Sequence, residues 1–141
     1  MKKTADILSY DEIEVGSVYS FSRVISQSDV LQFAELCGDH NPLHVLEDYA
    51  RNSEFGNNVV HGMLTASLFS TLVGMYCPGE KSLYLGQSLQ FKMPLFYGET
   101  VLVKGTVLNK VDALKMLKIK TEIFRHNDLI LCGEAQVKML E

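Results

Sequence analysis

The chain has 141 residues, 47% of them hydrophobic and 21% charged, which fits one ordinary domain with its own core and excludes a disordered chain. Thirteen Lys and Arg against seventeen Asp and Glu give a net charge of -4, so no global positive field is available to hold a phosphate backbone, and no nucleic-acid partner is expected. Cys37, Cys77 and Cys132 are odd in number and far apart, so neither a disulfide framework nor a thiolate zinc site is indicated and a reducing, cytoplasmic compartment is expected.

Lys2 and Lys3 open the chain as a signal peptide would, but Asp6, Asp11 and Glu12 interrupt any apolar run, so no export signal is expected. Val18 to Ile25 reads as a first strand. Ser26 with Asp29 three residues on forms a capping-box pattern, and Val30, Phe33, Ala34 and Cys37 follow at helical spacing until Gly38 supplies a stop. From Asp39 to His44 irregular backbone is expected, because Pro42 lacks an amide hydrogen and biases Asn41 away from the helical region. Glu47 to Asn52 reads as a further helical turn.

A second long helix is expected from Met63 to Met75, apolar almost all round, as in a helix that other structure encloses. The uncharged stretch from His61 to Gly79 contains Thr65, Ser67, Ser70 and Thr71 and stops at Pro78, which makes a poor membrane span, so no membrane partner is expected. Beyond it the period becomes two: Leu83 to Phe91, Thr100 to Leu108, Leu114 to Phe124 and Leu129 to Leu140 read as long antiparallel strands. In the third, Leu117, Ile119, Thr121 and Ile123 alternate with Lys118, Lys120 and Glu122, one face buried and one wet. The pattern implies an α+β chain, a long antiparallel sheet wrapped around a central apolar helix, the architecture known as the hot-dog fold. Such a sheet keeps a free edge, and pairing with a second copy removes it, so a homodimer is expected.

Four groups of residues bear on chemistry. Asp39 and His44, five apart, can converge on one water, with ordinary pKa values of about 3.9 and 6.5 that suit addition or removal of water. On spacing alone, turn bonds from Asp39 and Asn41 with a packed or solvated His44 are the simpler reading. His40 and His44 have the four-residue spacing of helical metal ligands, but Pro42 lies between them, and no metal is expected. Asp39 and His61 complete a site only if tertiary structure brings them together. Gly62 at a helix start can offer free amide hydrogen to an oxyanion, or can serve only as an entry turn. Ser70 sits among apolar neighbours, where a serine hydroxyl usually bonds back along the helix. Cys37 and Cys132 read as small core residues, and covalent catalysis through cysteine is rejected.

The run from Phe33 to His44 (FAELCGDHNPLH), followed after five residues by Ala50, resembles the hydratase motif of the MaoC-like family, specifically its R-specific enoyl-CoA hydratases. The resemblance extends through Val60 to Ser70 and Tyr84 to Pro94, most of the chain from Ser26 onward. It implies a hot-dog domain over residues 1–141 and a homodimer that adds water to trans-2-enoyl-CoA to give the (R)-3-hydroxyacyl-CoA, without a cofactor. Residue by residue, it makes Asp39 the base that activates the water and His44 its partner, which orients the water and relays the proton to the α-carbon. The Gly62 amide becomes the donor that polarises the thioester carbonyl. Asn41 braces the loop, Ser70 supports the site, and Leu72, Val73 and Tyr76 line an acyl pocket.

Two alternatives stand beside it, an (R)-3-hydroxyacyl-carrier-protein dehydratase and a non-catalytic acyl-CoA-binding module. The absence of Asp and Glu from Met63 to Met75 counts against thioesterases and against dehydratases that use a helical glutamate. Lys81, Lys92, Lys104 and Lys110 are available to meet CoA phosphates or an acidic carrier protein, or are simply solvated.

Overall fold

The computed structural model describes residues 2–141. Its elements are β1 (Val18–Val24), α1 (Gln27–Cys37), α2 (Pro42–Val45), α3 (Glu47–Arg51), α4 (Gly62–Ala66), α5 (Leu68–Thr71), a π-helical turn (Leu72–Tyr76), β2 (Ser82–Gln87), β3 (Gln90–Phe91), β4 (Thr100–Val111), β5 (Met116–Arg125) and β6 (Asp128–Met139). The strands form one antiparallel sheet in the order β1-β4-β5-β6-β2, with β3 also on β6. The central helical segments lie against its inner face, so the expected hot-dog architecture is the observed one.

Alternation sets which side chains meet the helix. Val101, Val103 and Val107 of β4 and Leu117, Ile119 and Ile123 of β5 are buried, while Leu102, Lys118 and Lys120 face outward or are only half-covered. Two clusters form the core. Phe69 and Leu72 pack with Val30, Val101, Val103, Ile123 and Leu131 in one, and Ile13, Val73, Val107, Leu117, Val137 and Met139 make the other. At Gly105 a Cβ would stand 2.8 Å from Leu72 Cδ2, so the missing side chain is what lets the helix lie this close to β4.

The α1 helix begins and ends as its sequence pattern requires: Asp29 N donates to Ser26 Oγ at 3.1 Å, Ser26 N donates to Asp29 Oδ2 at 2.9 Å, and Gly38 closes the helix at φ 84°. Cys37, expected on the buried face, is exposed because α1 buries only Val30 and Ala34 completely.

Three elements depart from expectation. The motif segment is partly helical, because Pro42 takes the first position of α2, where no amide hydrogen is needed, and Asn41 Oδ1 accepts from Leu43 N at 3.0 Å as its cap. The strand expected from Leu83 to Phe91 is divided into β2 and β3. Ser88 carries the chain so close to β6 that a Cβ on Gly133 would lie 1.8 Å from the Ser88 carbonyl oxygen. The helix expected from Met63 to Met75 is interrupted at Ser67 and ends in the π turn, whose Cys77 N donates to Leu72 O at 3.0 Å, five residues back. The segment before β1 also packs inward: Asp6 N donates to Met75 O, Glu80 N donates to Asp6 O, and Tyr10 and Ile13 are buried.

Candidate active site

The α2 turn and the start of α4 meet side by side. Val59 N donates to Leu43 O at 3.2 Å, and Asn58 Nδ2 donates to the Leu43 and Leu46 carbonyls at 2.9 and 3.2 Å. These bonds tie the chain before α4 to α2 and bring three residues far apart in sequence to one place. Ligand atoms of Asp39, His44 and His61 lie within 4.8 Å of one another.

The orientation of His44 follows from one contact. Its Nδ1 is 2.6 Å from the Val59 carbonyl oxygen, an atom that can only accept, so Nδ1 carries the hydrogen and Nε2 presents its lone pair. That Nε2 is 3.9 Å from Asp39 Oδ2, with His44 16% and Asp39 50% exposed in their side chains. This is too long for a direct hydrogen bond and suits one water shared by both groups. Asp39 is held from below, since its Oδ1 accepts from Asn41 N at 3.1 Å. Asn41 thus acts through the loop backbone, and its side-chain oxygen is already engaged as the α2 cap.

His44 and Gly62 line the same cleft of about 330 Å³, with Val59, Thr65, Phe91, Lys92, Pro94 and Ile130 among its walls. As the first residue of α4, Gly62 has an amide hydrogen with no acceptor inside the helix. Glycine gives room to a neighbour here, because a Cβ would meet Phe91 Cε1 at 2.8 Å unless that ring moved. Arg125 fixes the opposite wall, donating from Nη1 to Pro94 O at 3.0 Å and to Glu99 Oε1 at 3.1 Å.

Ser70 lies elsewhere. It lines an adjoining apolar groove with Phe33, Met63, Ala66, Ser67, Tyr84, Gln87 and Leu89. Met63, Ala66, Ser67 and Ser70 share one face at helical spacing. The serine that bonds back along the helix is Ser67, to Leu64 O; Ser70 lines the groove. Val73 does not reach either space. The π turn changes the side-chain phase after Thr71, and Val73 is 1% exposed inside the second core cluster. Leu72 is buried too, and Tyr76 stacks on Phe21 at 4.8 Å. Among the lysines, Lys92 lines the cleft, whereas Lys110 is committed to the Tyr10 and Ile13 carbonyls at 2.9 and 2.7 Å.

The three-residue cluster fits a metal poorly. Imidazoles bind metals in their ring planes at about 2.0–2.1 Å, and the His44 and His61 rings are stacked with centroids 4.0 Å apart and planes inclined by 27°. Planes so nearly parallel do not converge at bonding distance.

Residues 12–125 match the family model described as MaoC like domain. The chain belongs to the MaoC-like domain family. Among MaoC-like relatives it is similar to the (R)-specific enoyl-CoA hydratase of Aeromonas caviae, 40% identical over 94% of this chain and 99% of that protein. It is also similar to the mitochondrial 3-hydroxyacyl-[acyl-carrier-protein] dehydratase of Arabidopsis thaliana, 34% identical over 96% and 82%. The solved unliganded R-hydratase PhaJ1 of Pseudomonas aeruginosa superposes with a TM-score of 0.92 at 32% identity, covering 96% of this chain and 87% of that one. Of the residues at this site, the sequence marked Asp39 beside the cleft and His44 and Gly62 in its wall, but not Val59, whose part is played by a carbonyl that any residue could supply. Nor did it mark Phe91, whose ring matters only because Gly62 lies opposite.

Proposed function

We propose that this MaoC-like chain is an R-specific enoyl-CoA hydratase, with Asp39, His44 and Gly62 as its catalytic residues. The observation that carries this reading is the pair His44 Nε2 and Asp39 Oδ2, 3.9 Å apart, beside a cleft that His44 shares with the free Gly62 amide. A water between the pair gives a proton to Asp39 Oδ2 as its oxygen bonds to the β-carbon, and Asp39 passes that proton to His44 Nε2. The electron pair of the double bond moves toward the thioester oxygen, where the Gly62 N–H receives the charge. The proton taken from the water returns to the α-carbon through His44 Nε2, so one water is added and nothing is left over. No cofactor or metal enters these steps. The R configuration is carried over from the hydratases to which the chain is similar.

On the substrate side, Asn41 shapes the Asp39 loop and Ser70 lines the apolar groove that would take the acyl chain, whereas Val73, enclosed in the second core cluster, is given no contact with substrate. Residues 1–141 make one domain in this reading, supported by the bonds of Asp6 to Met75 and Glu80. A homodimer is supported by the free edge of β2, with Leu83 and Leu85 exposed on it. No helix is long and apolar enough to cross a membrane among the described residues, and we assign neither membrane nor nucleic acid as a partner. Three free cysteines support a cytoplasmic location.

The similarity to the plant carrier-protein dehydratase favours a second reading, in which the same residues run the reverse reaction on acyl carrier protein. Comparing kcat/KM for crotonyl-CoA and for a crotonyl-carrier protein separates the two. The hydratase reading expects the CoA thioester to be preferred, and a preference for the carrier-bound substrate overturns it.

A further inference from the structure

His61 is 2% exposed and takes no part in the steps above, yet it touches two of the groups that do and is bonded to the third. Its Nε2 lies 2.9 Å from the backbone carbonyl oxygen of Asp39. A carbonyl only accepts, so Nε2 carries the hydrogen and donates it. Its ring face lies on the His44 imidazole at 4.0 Å, and its other neighbour is Phe33, edge-on at 4.9 Å. It is also the cap residue of α4, directly before Gly62.

The other nitrogen, Nδ1, is buried and makes no hydrogen bond to another described residue. The polar contact that the ring makes within the protein is therefore the one from Nε2 to the Asp39 carbonyl, which a phenyl ring could not make.

We infer that His61 is a positioning residue for the Asp39–His44 pair: its Nε2–H fixes the Asp39 backbone while its ring face fixes the plane of His44. Asp39 sits after the α1 stop on exposed backbone, and its side chain is half in solvent. The bond from His61 joins that backbone to α4, and therefore to Gly62, across 22 residues of sequence. His44 is likewise held at two places, by Val59 at Nδ1 and by the His61 face. Together these contacts keep the carboxylate and Nε2 at the separation one water spans, a geometry in which a displacement of about 1 Å can lower the rate about 10²-fold.

The inference rests on the hydratase reading, and its test keeps the two apart. Crotonyl-CoA hydration is measured for the wild type, His61→Phe and His61→Gln, with thermal unfolding of each. His61→Phe keeps a ring against His44, loses the donor to Asp39 and removes the unpartnered nitrogen. It is expected to unfold at or near the wild-type temperature while kcat falls about 10²-fold and KM stays within about two-fold, since the cleft walls are untouched. His61→Gln places an amide hydrogen near the lost Nε2–H and is expected to recover at least ten-fold of that kcat. Wild-type kcat in His61→Phe, or equal losses in both variants with KM rising in parallel, overturns the positioning role and leaves the hydratase reading standing. A wild type that hydrates no enoyl-CoA overturns the reading beneath it.

Discussion

The Val59 carbonyl, 2.6 Å from His44 Nδ1, decides which nitrogen of His44 faces Asp39. With Nδ1 committed as a donor, Nε2 can only receive, and both members of the pair present lone pairs to the same point. A water there has two acceptors for its hydrogens and a free lone pair to attack with, which is the state that hydration of a conjugated thioester requires.

Asp39→Asn keeps an oxygen for the Asn41 amide hydrogen but removes the charge that accepts a proton. Its expected result is a fall in kcat of at least about 10²-fold with the unfolding temperature unchanged, read by steady-state kinetics beside calorimetry. Near wild-type turnover would take Asp39 out of the mechanism.

Gly62→Ala pushes a methyl group to within 2.8 Å of Phe91 Cε1. Phe91 is exposed and can swing, so the loss of stability is expected to stay near about 1 kcal/mol. The displaced ring narrows the cleft, and KM for crotonyl-CoA is expected to rise. Pairing the change with Phe91→Leu restores room, and the double variant should regain KM. Failure to do so would point to the Gly62 backbone itself.

Arg125 ties β5 to the cleft wall through Pro94 and Glu99. Arg125→Met leaves the Pro94 carbonyl without this donor and the Glu99 carboxylate with only the Phe96 N–H, and chemical denaturation should register a loss of about 1–3 kcal/mol. Because the Lys92 to Leu95 wall loosens and the Asp39–His44 pair does not, KM should increase more than kcat declines. The opposite order would place Arg125 in the chemical step.

Burial pushes the Cys77 thiol up to about 12, whereas Cys37 is exposed. Titration with a thiol-disulfide reagent at pH 8 should label Cys37 promptly and Cys77 only when the chain unfolds. Cys37→Ser should hydrate enoyl-CoA as the wild type does, and a large loss would reopen a role for the thiol.

The Glu141 carboxyl is held below its ordinary value, first by the Tyr10 backbone N–H and then by Lys115. A folded pKa lower than the unfolded one contributes stability that is present above the unfolded value and lost as pH falls through the folded one. Glu141→Gln should therefore unfold at a lower temperature than the wild type at pH 7, and the gap should close in acid. A gap that persists at pH 2 would mean that packing, not charge, is what Glu141 supplies.

The sheet was legible because its strands carry period-two patterns that burial of one face imposes, as at Leu117 to Ile123. The cap pair Ser26 and Asp29 and the stop at Gly38 set α1 for equally local reasons. What escaped was non-local. Nothing near Ser88 announces that Gly133 of β6 will meet its backbone, and so the break between β2 and β3 was hidden. The π turn depends on how residues 72–79 close against Asp6, which no helical pattern encodes. Val73 accordingly falls in the core and not along the acyl groove. At the site, Asp39, His44 and Gly62 stood out as side-chain chemistry in a family motif. The contributions of Val59 and His61 depend on contacts across 15 and 22 residues, visible only once the fold joins α2 to the start of α4.

The measurement that tests the central claim most directly is hydration of crotonyl-CoA, followed by loss of the conjugated enoyl absorbance, with the product passed to R-specific and S-specific 3-hydroxyacyl-CoA dehydrogenases in parallel. The account predicts rapid turnover whose product only the R-specific enzyme oxidises. No turnover with crotonyl-CoA or longer enoyl-CoAs, or a product of the S configuration, would contradict it.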